Sequence, residues 1–129
     1  MDKFTIPENP NQLELNQSLS KCANNISRVI DLVAKYKANV SIAQTKYKRL
    51  LARAKIKNAS AKTATMQNAL AEIDDTVITA QDELEQANAI FLVAEAELEG
   101  WQAQFVAVRK MCSLKETEVK GGLDRFTGH

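Results

Sequence analysis

From Leu15 onward, apolar and small residues recur at alternating steps of four and three: Leu15, Leu19, Cys22, Ile26, Val29, Val33, Tyr36, Val40, Ala43, Tyr47, Leu50 and Ala54. The stripe resumes at Met66 and runs through Leu70, Ile73, Val77, Ala80, Leu84, Ala87, Phe91, Ala94, Leu98, Trp101, Phe105, Val108 and Cys112 to Val119, broken only by Lys115. A mean repeat of about 3.5 residues keeps one seam of a helix against a partner helix. The pattern therefore predicts an all-α protein built as a long antiparallel helical hairpin of the coiled-coil type. Such a protomer buries a seam rather than a globular centre, so an oligomer is expected.

Local signals place the elements. Phe4, Ile6, Pro7 and Pro10 predict an extended N-terminal arm over residues 1–10, since each proline disfavours helix at the residue before it. Asn9 can then cap, Pro10 suits a first helical position, and Gln12 can reach back to the cap. The four Gly and two Pro all lie outside the span from Asn11 to Glu99, so the helical hairpin domain is set at residues 11–120. The first helix is expected to run from about Pro10 to Lys57, ~70 Å at ~1.5 Å per residue. Lys57 to Thr63 is the weakest helical stretch. Asn58 can end one helix there and Ser60 or Thr63 can cap the next, which predicts the hairpin turn. One continuous helix is the rival, because the count can be carried through Lys57 and Ala61 into Met66. The second helix is expected to end at Gly121-Gly122, leaving 121–129 as a flexible tail. Gly100 inside it marks a kink, a break into a third C-terminal helix, or a point of close approach.

Phase on the helix separates seam from surface. With the turn near residue 59, Leu15 faces Trp101, and the stripe from Trp101 onward overhangs the first helix. Ile42, Ile78, Leu92, Val93, Val106 and Leu114 fall on outward positions. They are either scattered surface aliphatics or a second packing surface. The oligomer surface is accordingly set at Phe91, Leu92, Val93, Trp101, Phe105 and Val108.

Net charge is only +1, but its distribution is lopsided. Nine Lys or Arg and no acid lie between Leu32 and Ala71, and nine acids with no Lys or Arg lie from Glu72 to Glu99. Charges beside the seam can pair the two arms: Lys37, Lys46 and Arg53 against Asp74, Glu83, Glu95 and Glu97. Lys21, Arg28, Lys35 and Arg49, with Lys48, Lys55 and Lys62, are expected to point away from the second helix. This basic stripe suits a phosphate backbone or an acidic protein, and it is equally compatible with an ordinary solvated face. The candidate DNA-binding residues are Lys35, Lys46, Lys48, Arg49, Arg53, Lys55, Lys57 and Lys62. Tyr36 and Tyr47 lie on the seam and read as packing rather than base stacking.

Catalysis has little support. No His stands near a Ser, Cys or Asp as a nucleophile-base pair, and no glycine loop could cradle a phosphate. Neighbouring acids such as Asp74-Asp75 and Asp82-Glu83 diverge by about 100° on a helix. Cys22 and Cys112 read as buried thiols, and the single His, His129, supplies no metal set. No enzyme activity, metal, cofactor or small-molecule substrate is expected. The start lacks a basic region followed by an apolar run, and no stretch approaches a membrane span, so a cytoplasmic location without membrane contact is expected.

Cys22-Ala23-Asn24-Asn25-Ile26 early in a long helix, Arg49-Leu50-Leu51-Ala52-Arg53 at its basic end, a polar turn, and a long helix carrying an aromatic and a Cys resemble the small helical recombination mediators of tailed phages. The resemblance covers roughly Cys22 to Val119. It implies an oligomeric accessory protein that binds single-stranded DNA, with a recombinase or single-strand-binding protein as partner, in the host cytoplasm. Arg53 takes the place of a DNA-contacting residue. Leu51 stands where that pattern has a basic residue, and Lys55-Ile56 where it has an aromatic pair. A coiled-coil adaptor, chaperone or inhibitor acting on a protein partner is the alternative.

Overall fold

The computed structural model describes residues 10–127, with side chains described for residues 10–118. Residues 1–9 of the expected arm and the side chain of Val119 lie outside the described residues. Three helices follow in order, α1 (Gln12–Lys57), α2 (Ala64–Glu72) and α3 (Asp75–Thr127), with no strand among the described residues.

α1 starts on a capping box. The Glu14 N–H donates to Asn11 Oδ1 at 2.8 Å, and the Asn11 N–H donates back to Glu14 Oε1 at 3.3 Å. Asn11 and Glu14 thus take the roles expected of Asn9 and Gln12. A carboxylate is the stronger acceptor, and its charge suits a helix N-terminus. At the other end the Asn58 amide group and backbone N–H both donate to the Ala54 carbonyl, at 2.7 and 3.1 Å. Residues 58–63 leave the helix, where the turn is expected.

The reversal is longer than a single turn. Thr63 Oγ1 accepts from the Met66 N–H at 3.1 Å and caps the nine-residue α2. α2 then stops at Ile73, and α3 begins afresh after Asp74. This second break resets the helical phase. Met66, Leu70 and Ile73 are exposed instead of lying on the seam, while Ala71 is the buried residue of α2. From Val77 to Cys112 every position of the expected stripe is buried or half-buried.

α3 shows no break at Gly100 and remains helical through Gly121 and Gly122 to Thr127. No third helix starts at Gly100, and the glycine pair does not end α3. A Cβ added at Gly100 meets no atom within 4 Å, so close approach does not explain this glycine either.

The chain forms two compact units, one of Met1–Ile30 with Glu97–His129 and one of Asp31–Ala96. In the first, Leu15, Cys22, Val29, Trp101, Val108 and Cys112 are buried, and Arg28 pairs with Glu97 at 3.8 Å. Counting thirteen residues back from Arg28 and thirteen on from Glu97 sets Leu15 level with Lys110, well past Trp101. The long reversal moves the register in this direction. The expected overhang beyond Trp101 is therefore largely covered by α1. Trp101 and Val108, assigned to the oligomer surface, are core residues of this unit. Burial pushes both thiols up from their ordinary value, offset in part at Cys22 by Lys21 and reinforced at Cys112 by Glu116. Neither is in a disulfide.

In the second unit Ala54, Ala71 and Val77 form a buried cluster against which Tyr47, Leu50 and Leu51 pack. Two alanines at its centre leave room for three helices to converge. The Gln67 side chain donates to the Lys55 carbonyl at 2.7 Å and so satisfies one of the last α1 carbonyls.

Two outcomes are expected. Gly100→Ala stabilises the chain by about 1 kcal/mol in chemical denaturation, because a helix-interior glycine is relieved and no clash is created. Both cysteines resist a thiol reagent at neutral pH in the folded protein and react fully once denaturant is added.

Candidate nucleic-acid interface

All eight candidate DNA-binding residues belong to the unit Asp31–Ala96, but they are not equivalent. Lys46 Nζ reaches Glu83 Oε2 at 2.9 Å, and Lys57 Nζ reaches Asp74 Oδ2 at 3.7 Å. These pairs run α1 and α3 antiparallel in this unit. They also spend two of the eight cations on holding the hairpin, each partly screened because the lysine ends stay wet.

Lys35, Lys48, Arg49, Arg53 and Lys62 are exposed and make no ion pair among the described residues. Lys55 is half-buried, and its carbonyl is held by Gln67. Arg53 and Lys57 line an open concavity at the reversal with Leu50, Ala54, Asp74 and Thr76. Tyr36 and Tyr47 are half-buried on the seam, Tyr47 against the alanine cluster, so neither offers the cations an open aromatic platform. In the other unit Arg28, expected to point away from the second helix, instead meets Glu97. A long guanidinium stem can reach round the flank of its own helix to a carboxylate on the next.

Asp74 organises the reversal. Its Oδ1 accepts from the Thr76 hydroxyl at 2.6 Å and the Thr76 N–H at 3.0 Å, its carbonyl accepts from the Ile78 N–H at 2.9 Å, and its other oxygen faces Lys57. The Thr76 bonds, first, and then Lys57 hold its carboxyl below the ordinary carboxylate value against partial desolvation. Sequence reading placed Asp74 beside the seam but missed its capping role. The readable signal was the run Asp74-Asp75-Thr76, in which an aspartate can accept from a residue two positions on.

Of the expected oligomer residues, Leu92 and Val93 are exposed at 61% and 70%, Phe91 and Phe105 are half-buried, and Trp101 and Val108 are enclosed. The outward assignments of Ile42, Ile78, Val106 and Leu114 agree with their exposure. Among the described residues no group of three or more His, Cys, Asp or Glu could hold a metal ion, and no helix is long and apolar enough to cross a membrane. No family model, curated protein or solved structure matches this chain.

Because the folded-state value of Asp74 lies below the ordinary one, its carboxylate contributes stability above about pH 4 that is lost as pH falls through the lowered value. Asp74→Ala is expected to lower Tm at neutral pH, with the gap to the parent closing in acid. Lys57→Ala lowers it less, since Lys57 is the weaker support of this carboxylate. Thermal melts followed by circular dichroism across pH check both.

Proposed function

We propose that this protein is a non-catalytic accessory factor that binds single-stranded DNA through the basic surface of α1 near the reversal, in a phage-type recombination process with a recombinase or single-strand-binding protein as partner. The observation that carries the reading is the acid-free interval from Leu32 to Ala71, in which Lys35, Lys48, Arg49, Arg53 and Lys62 are exposed and make no ion pair among the described residues. Cations set along α1 and, at Lys62, in the reversal attract a phosphate backbone and release its counterions. A flexible single strand can follow them without a duplex groove. The half-buried tyrosines leave binding to phosphates rather than bases, so little sequence preference is expected.

A second reading has its own support. Large apolar side chains such as Ile42, Ile56, Leu92 and Val93 are more than half exposed. Such residues favour a protein partner, in which case the chain is an adaptor, chaperone or inhibitor.

Fluorescence anisotropy with labelled single-stranded DNA separates the two. The informative variant replaces Lys48, Arg49, Arg53 and Lys62 with Ala and spares Lys57, whose removal would disturb Asp74. Helicity is expected to stay at the parent level, affinity to fall, and the slope of log K against log salt to flatten by up to about 3. Absence of binding by the parent at low salt, or equal slopes, moves the assignment to the protein adaptor.

A further inference from the structure

Each long helix of the unit Asp31–Ala96 carries a second line at steps of four and three on the side opposite its buried seam. On α1 the line is Lys35, Ala38, Ile42, Thr45, Arg49, Ala52 and Ile56, every member exposed. On α3 it is Ile78, Asp82, Glu85, Ala89, Leu92 and Ala96, also exposed throughout. The two lines are alike in size pattern and opposite in charge. Both place large aliphatics, with Ile42 at 67%, Ile56 at 75% and Leu92 at 61% exposure, among alanines small enough to admit a neighbouring helix. The α1 line has basic charges only and the α3 line acidic charges only.

These charges do not meet one another inside one chain among the described residues. The hairpin's own pairs in this unit are Lys46 with Glu83 and Lys57 with Asp74, and neither involves a member of the outward lines. Lys35, Arg49, Asp82 and Glu85 make no ion pair among the described residues. At ~1.5 Å per residue each line is roughly 30 Å long, so the two match in extent.

We propose that the occupant of these faces is a second copy of this chain, docking the acidic line of its α3 on the basic line of α1. In the antiparallel register Arg49 lies between Asp82 and Glu85 of the neighbour, Ile42 lies beside Ala89 and Leu92, Ile56 beside Ile78, and Lys35 falls at the acidic line's far end, beyond Ala96. The interface joins two different surfaces, so each copy can both give and receive, and assembly proceeds beyond a dimer to a closed or open array. Self-docking does not require DNA binding. Lys35 and Arg49 belong to both surfaces, so a polyanion and a second copy compete for them.

The test uses the full chain without nucleic acid. Sedimentation velocity at tens of micromolar is run on the parent, on Lys35→Glu with Arg49→Glu, and on Asp82→Lys with Glu85→Lys. The parent is expected to assemble beyond a dimer at low salt and to dissociate as salt screens the exposed charges. Each reversed variant places like charge against like and is expected to lose the assembly while retaining helicity. An equal mixture of the two variants presents opposite charges at every contact and is expected to restore it. A monomeric parent at low salt, a parent assembly indifferent to salt, or helical variants that do not reassemble on mixing would each overturn the proposal. If a variant loses helicity, Lys35→Gln with Arg49→Gln and the parent's salt response decide instead. Loss of assembly with both supports the proposal, and persistence in either rejects it.

Discussion

A two-helix hairpin can hide one stripe of each helix and no more, and most of what distinguishes this protein follows from that limit. The middle of the α1 seam, from Val33 to Leu50, is half-buried rather than enclosed. On α1, enclosure is reached toward the two ends, at Leu15, Cys22 and Val29 and again at Ala54. Near the reversal α2 adds a third helix against Ala54 and Val77. In the unit of Met1–Ile30 and Glu97–His129 the enclosed residues include Trp101 and the two thiols. Each buried aliphatic contributes on the order of 2 kcal/mol, so these enclosed sites hold a disproportionate share of the stability.

The reversal supplies what a plain loop would not. Helix ends leave backbone groups unpaired, and here nearly every answer is a side chain within twenty residues: Asn58 and Gln67 on the α1 carbonyls, Thr63 and Asp74 on the following N-termini. Short-range satisfaction of this kind fixes the entry of α3 and hence the register of everything after it. Moving that entry moves Trp101 and Val108 between surface and core. One local choice thus decides which apolar residues remain for partners.

The fold was legible in the residues to the extent that it is periodic. The seam from Leu15 to Ala54 and from Val77 to Cys112, and the turn after Lys57, follow from apolar spacing and polarity alone. The break at Ile73 did not, because Met66, Leu70 and Ile73 continue the same count by coincidence and only the Asp74-Asp75-Thr76 run betrays a fresh start. Gly121-Gly122 misled in the opposite way, since a helix can carry glycine where neighbours favour it. For the candidate site, sequence located the basic interval but could not sort its members. Whether a lysine is free or paired depends on register, which is why Lys46 and Lys57 proved engaged while Lys48 and Arg49 did not.

The graded separation of the interhelical pairs has a kinetic meaning. Lys57 and Asp74 are nearest in the chain, Lys46 and Glu83 lie 37 residues apart, and Arg28 and Glu97 are farther still. Closing a loop costs more entropy as it lengthens, and each pair, once made, shortens the loop the next must close. The hairpin should therefore zip from its reversal outward, with the contacts of Trp101 among the last to form. The order of closure thus runs against the order of burial, since the late-closing unit is the one that holds Trp101 and both thiols.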